Sequence, residues 1–357
     1  MSVSTIVPAG AEAASAVFDA PAGFGVPGLG VPARGPWATA WRRLRKDRAA
    51  WISGSVLLMM VLLCLAAPLY VSLVTKVDPF RSNLDGEITL NGKTISVLEA
   101  SEEGLGIGVT PIGPTWDLTA YYLGSDPQGR DVMARLLYGG RTTLLIAGTA
   151  AMITLVLATL VGVVAGFFGG WVDQILSRML DVLWAFPVYL FAISLSIVLV
   201  NTTIAVGPIV ITSGSLIIPI LIIGIVYVPY VARPIRGQVL ALRKSEFVLA
   251  AIGLGVPSGR ILVRDILPNI FTSIIVFFPL MLALNVTIET ALSFLSLGVQ
   301  PPNASWGTII KDGTGLIYNR PWVAIAPGIA IVITVVALNI LGDSVRDALD
   351  PRAKLRA

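Results

Sequence analysis

Few side chains in this sequence are placed to do covalent chemistry. Histidine is absent altogether, which removes imidazole general bases and imidazole metal ligands. The single cysteine, Cys64, lies in an apolar run, so no internal disulfide can form and no redox compartment follows from it. The phosphate-cradling pattern Gly-x-x-x-x-Gly-Lys-Ser/Thr is missing, so the chain is not expected to hydrolyse a nucleotide itself. Neither a nucleophilic-serine elbow nor a paired metal-ligand motif stands in the sequence. No catalytic residue, no metal site and no cofactor held by this chain is expected.

Ion-coupled transport would leave charged groups in mid-span, because each costs about 2.5–3.5 kcal/mol on insertion scales and persists only for function. Glu289, with Asn285 one turn before it, is the one carboxylate inside a long apolar segment. It lies near the outer end of that segment, where water is expected to be close. A packing or interfacial carboxylate and a pathway or gate residue both fit it.

Polar residues gather instead in Glu246–Asn269, EFVLAAIGLGVPSGRILVRDILPN, between two apolar segments. Phe247, Ala250, Ala251 and Leu254 share one helical face by the three-and-four spacing. Gly255 can take the left-handed conformation that ends a helix, Pro257 prevents an immediate restart, and Pro268 reads as a second stop. A short helix with small residues on its face, held at a membrane surface, suits docking into a groove on another protein.

The elements that position this stretch follow from composition. The 357 residues are 55% hydrophobic and 13% charged, with mean hydropathy +0.84, against roughly 25% charged in soluble domains. The chain is read as an all-α polytopic membrane protein. Its net charge of +4 matters by location: basic residues cluster at Arg42–Arg48 and at Arg233–Arg264. Such clusters stay on the cytoplasmic side, which sets the orientation and leaves no reason to invoke nucleic acid.

In order, residues 1–36 are rich in Ala, Gly and Pro and read as a disordered cytoplasmic tail. Residues 37–50, where Trp37 and Trp41 interleave with arginines, read as an interfacial helix or a positive-inside anchor. The first span is 51–75. Residues 76–141, with nine acidic and six basic residues, form an extracytoplasmic segment. Within it EITLNGKTISV (87–97) predicts a small external β-hairpin turning at Asn91-Gly92. The core at 142–342 holds five more spans. They run over Thr142–Phe168, Leu183–Val200 with Pro187 in its first turns, Ser215–Val231, Ile270–Leu284 continuing weakly to Leu297, and Trp322–Leu341.

Gly162, Gly166 and Gly170 recur four apart, the spacing that lets a second helix backbone approach closely. The inner loop at 233–269 contains the docking stretch, 298–321 is an external loop, and 343–357 is a cytoplasmic tail. Six spans put both termini inside, with seventeen of the 25 basic residues on that side.

The stretch EFVLAAIGLG…RILVRDILPN resembles the cytoplasmic EAA loop of permease subunits in prokaryotic ABC importers. It is most similar to the C-type subunit of dipeptide/oligopeptide systems. LGSDPQGRDVMARLLYGGR (123–141), VGVVAGFFGGWVD (161–173), DVLWAFP (181–187), LSFLSLGVQPPNASWG (292–307) and NILGDSVRDALDPR (339–352) match in order. The resemblance spans about 120–352 plus the first span. It implies a type I importer permease fold, a second homologous permease subunit, and two ABC ATPase subunits that bind ATP and Mg. It also implies an extracytoplasmic binding protein that delivers peptide, and a site in the cytoplasmic (inner) membrane.

Carried over, Glu246, Ala250, Ala251 and Gly255 occupy the coupling-motif positions, with Arg260 and Pro268 completing the loop. Glu246 is expected to pair with a cation, on the ATPase or locally at Arg243 or Arg264, or else simply to cap its helix. Asp265 and Tyr122 stand where the family often has histidine, and the long N-terminal tail and the hairpin exceed the family pattern. Nickel, haem or oligosaccharide import fits the same architecture. A secondary transporter would need mid-span charges or inverted repeats, which the sequence lacks.

Overall fold

The computed structural model describes residues 36–90, 93–100, 108–117, 120–200, 202–206, 209–212 and 214–350. The tail expected over 1–36 lies outside them apart from Pro36. So do the Asn91-Gly92 turn and residues 351–357.

The helices include long apolar runs and short connecting turns. They are α1 (Pro36–Leu44), α2 (Arg48–Leu65), α3 (Ala67–Tyr70), α4 (Val132–Phe168), α5 (Gly170–Trp184), α6 (Val188–Val200), α7 (Ile217–Val226) and α8 (Val228–Arg243). After these come α9 (Glu246–Gly253), α10 (Ser258–Ile261), α11 (Leu267–Phe294), α12 (Trp306–Gly313) and α13 (Trp322–Leu349). Four helical stretches are long and apolar enough to cross a membrane: α2, α4, Ser258–Phe294 and α13. The count reaches six if two bent pairs are each one span, α5 with α6 at 86° and α7 with α8 at 41°.

Helix α4 is the hub, packing against α2, α7, α8 and α11. At 37 residues it is roughly 55 Å long at 1.5 Å per residue, well beyond the roughly 30 Å hydrocarbon core. It starts at Val132, ahead of the Thr142 expected from hydropathy, because Arg135 in its first turns is buried and neutralised rather than left in a loop. Gly162 and Gly166 face α8, where an added Cβ would sit 2.9 Å from the Ala232 and Arg236 carbonyl oxygens. Two backbones meet there with no room for a side chain, as the four-residue spacing suggests. Gly170 leaves that stripe: it sits at φ +53° with open space around it, in the turn between α4 and α5. Thr154 ties α4 to α7 by donating to the Gly224 carbonyl at 2.8 Å.

Several readings are corrected. Residues 170–184, most of them left between the second and third expected spans, form a helix, and α6 starts in another direction after Pro187. The fourth apolar run breaks at Tyr227, between α7 and α8. The 298–321 loop contains α12, whose N-terminus carries reciprocal Ser305–Thr308 capping. Pro268 does not stop a helix. A single wide π turn at Leu262–Ile266 precedes it, so its ring avoids the carbonyl it would crowd in a regular helix.

Between α3 and α4 the chain forms a cap. Strand β1 (Glu87–Leu90) pairs antiparallel with β2 (Lys93–Ser96), and β3 (Leu98–Ala100) with β4 (Val109–Pro111). Val97, Ile112 and Tyr121 form its small core. The basic segment and the loop after α8 share the opposite end of the bundle. Arg43 Nη1 donates to the Asp350 carbonyl at 2.9 Å. Trp41 and Leu44 border a cleft with Ile275 near the start of α11 and Val345 near the end of α13.

Candidate functional site: the loop between α8 and α11

Helix α8 ends at Lys244, and Ser245 in extended conformation starts α9. Glu246 occupies the first turn of α9, where its charge suits the positive end of the helix dipole by about 0.3–1 kcal/mol. Eight residues are too few for a helix to persist alone in water. Val248 anchors it by burial, as Ile261 and Ile266 anchor the return segment. Gly255 closes the helix at φ +73°, with Leu254 N donating to Ala250 O at 3.0 Å and Val256 N to Ala251 O at 3.1 Å. A residue bearing a Cβ resists that conformation. Pro257, extended, then begins α10.

The side chains left over point outward. Leu254 is 83% exposed and Val263 68% exposed, with Phe247, Leu249 and Ile252 about half exposed beside them. Ala250 is exposed and Ala251 half-buried. Among the described residues the side chains of Glu246, Arg260 and Arg264 make no ion pair or hydrogen bond. The local pairing of Glu246 with Arg243 or Arg264 therefore does not form, and Arg243 Nη1 lies 3.5 Å from the Phe168 carbonyl instead. Large apolar side chains thus stand exposed beside unpaired charges.

Glu246, Ala250, Ala251, Gly255, Arg260 and Pro268 thus share one loop. Asn285 and Glu289 do not join it: they lie toward the other end of α11, between α4 and α12. Glu289 has no exposed surface, which corrects the expectation of nearby water. Ser293 Oγ donates to its Oε1 at 2.6 Å, and Val299 N donates to Ser293 Oγ at 3.0 Å. The hydroxyls of Thr143 and Ser305 face the same carboxyl. Asn285 Nδ2 donates to Ala147 O at 3.1 Å. The geometry is that of a polar staple holding α11, α4 and the segment leading to α12 together.

Two further groups of ion pairs tie distant elements together. In the cap, Arg130 Nε lies 2.6 Å and Arg135 Nε 3.3 Å from Asp126 Oδ2, and their Nη2 atoms lie 2.9 and 3.1 Å from Asp312 Oδ2. Asp131 caps α4 through Ala134 N at 3.0 Å and accepts from Tyr121 N at 2.8 Å. Burial holds the Asp131 carboxyl above its ordinary range despite these bonds. Burial raises Asp312 as well, with Arg135 and Arg130 pulling it back. Beside the loop, Arg236 Nη2 pairs with Asp173 Oδ2 at 2.6 Å and Arg233 with Asp181 at 2.9 Å, latching α5 to α8. Arg233, Arg236 and Asp312 lie outside the quoted motifs, so no local spacing marks their pairings.

The model of the binding-protein-dependent transport system inner membrane component matches residues 158–355. The chain belongs to this family. The matched region contains Gly162, Gly166, the α5–α8 latches, the whole loop and the Asn285–Glu289 staple. A second model, the N-terminal TM domain of oligopeptide transport permease C, matches residues 35–85, which covers the basic segment and α2.

Similar proteins include the dipeptide transport system permease protein DppC of Alkalihalophilus pseudofirmus, 32% identical over 89% of this chain and 91% of that protein. The glutathione transport system permease protein GsiD of Pectobacterium atrosepticum is also 32% identical, over 90% and 93%. Among solved structures, an inward-facing MetNI methionine ABC transporter overlaps 60% of this chain and 97% of that chain. Its TM-score is 0.48 at 18% identity, too loose an overlap to argue from. The permease is thus a component of a transport system.

Proposed function

We propose that this permease is a membrane-spanning subunit of an ATP-driven, binding-protein-dependent importer of di- and oligopeptides, and that separate ATPase subunits dock on Glu246–Asn269. ATP and Mg belong to those subunits. The observation that carries the reading is α9, a helix held by one buried valine while its large apolar side chains and its carboxylate stand free. Closure of an ATPase dimer beneath α9 would push on a short element joined at one end to α8 and at the other to the helical run Ser258–Phe294. Helix α8 presses on α4 at Gly162 and Gly166 and is latched to α5, so the push tilts several helices together. The pathway then alternates between outward and inward states.

In this reading the loop end and both termini are cytoplasmic, as the clustering of basic residues there supports. A second permease subunit completes the pathway, and a binding protein delivers cargo at the cap end. The dipeptide and glutathione relatives support a peptide cargo. Glu246→Lys reverses the one charge of α9, and Gly255→Pro demands φ near −65° where the backbone sits at +73°. Both should abolish uptake of a labelled dipeptide by the assembled transporter. Unchanged uptake with ATPase subunits still bound would refute the docking role.

A further inference from the structure

We propose that the cleft between α1, the first turns of α2 and the last turns of α13 binds an anionic phospholipid. The cleft, about 250 Å³, is lined by Trp41, Leu44, Trp51, Gly54, Leu58 and Leu341 among others, an almost wholly apolar set. A second cleft of about 240 Å³ shares Trp41 and Leu44 and reaches Ile275 and Val345. Helix α1 therefore has apolar space beside it in two directions, which suits a ligand with two acyl chains.

The mouth supplies the other half of the recognition. Arg42, Arg45, Lys46 and Arg48 stand in or beside α1, and none makes an ion pair among the described residues. Arg43 is engaged with the Ala348 and Asp350 carbonyls. Trp51 Nε1 donates to the Arg45 carbonyl at 3.1 Å, fixing the turn that carries these cations. The carboxylates on the elements around the cleft are Asp47, which caps α2 through Ala49 N, and Asp343, Asp347 and Asp350. Six cations (Arg42, Arg43, Arg45, Lys46, Arg48 and Arg346) outnumber these four. An excess of positive charge over an apolar cleft, flanked by half-exposed tryptophans, favours a negatively charged headgroup over a zwitterionic one. A free phosphate would leave the apolar clefts unused.

Native mass spectrometry of the full-length chain, purified in detergent and offered equal phosphatidylglycerol and phosphatidylcholine, tests this. Phosphatidylglycerol should be retained roughly tenfold over phosphatidylcholine. The variant R42Q/R45Q/K46Q/R48Q should lose that preference. Gly54→Phe, at a position where an added Cβ meets nothing within 4 Å, should fill the cleft and reduce retention of both lipids without lowering the melting temperature. Inorganic phosphate should give no stabilisation. Equal retention of the two lipids, an unaffected Gly54→Phe variant, stabilisation by phosphate alone, or loss of all lipid once the partner subunits assemble would each overturn the assignment.

Discussion

Two stretches of this permease use nearly the same residues to opposite ends. The cap has Gly129-Arg130-Asp131 with Arg135 following, and the loop has Gly259-Arg260 with Arg264-Asp265 following. In the cap both guanidiniums are buried and share Asp126 and Asp312. In the loop both are exposed and have no partner within the described residues. The cap is complete within the chain and works as structure. In the proposed reading the loop is completed by another protein, and its charges and exposed leucines are set aside for that contact.

The sharpest way to break this contrast is Asp126→Ala. It leaves two buried guanidiniums sharing the part-exposed Asp312, and breaking a buried ion pair costs about 3–5 kcal/mol. Thermal unfolding of the detergent-solubilised chain should show that loss, and a variant melting like the wild type would make the cap no more structural than the loop. Next, Gly166→Leu drives a side chain into the α4–α8 contact, where even a Cβ would lie 2.8 Å from Val239 Cβ. It should destabilise by about 1–3 kcal/mol in the same assay.

A smaller effect separates the cap's carboxylates. Asp131→Asn keeps a residue able to cap α4 but removes a charge that burial disfavours. Because burial raises the folded-state value, the folded protein binds the proton more tightly than the unfolded chain does. The wild type should therefore gain stability relative to the variant as pH falls through that raised value toward the ordinary range of about 4. Melting at stepped pH reads it, and a wild type that loses stability relative to the variant on acidification contradicts the stated burial. The smallest effect belongs to the loop: Arg260→Ala should shift stability by no more than about 0.5 kcal/mol, while co-purification with the ATPase subunits falls. A large loss of stability would mean that the loop is built like the cap.

The loop was legible because its signals are local. Gly255, Pro257 and the face through Phe247 and Leu254 lie within a dozen residues, and each acts on the backbone beside it. The cap network was not legible, because Asp312 meets Arg130 across 182 positions of sequence and no periodicity carries that pairing. Hydropathy placed the start of α4 late for the same reason, reading Arg135 as solvated when its partners come from elsewhere in the fold. The sequence alone puts Glu289 near water, because an apolar run does not show that the segment leading to α12 folds back to cover it. The sequence presents Pro268 as a stop because the π turn that accommodates it has no sequence mark.

The docking role of α9 turns on whether another protein covers it in the working transporter. Cys64 is buried, so a Cys64→Ala background with Leu254→Cys places one reactive thiol at the most exposed apolar position of the loop. A water-soluble maleimide should label it rapidly in the isolated chain and only slowly once ATPase subunits are bound. Equally rapid labelling in an assembled complex that still imports peptide would contradict the central claim.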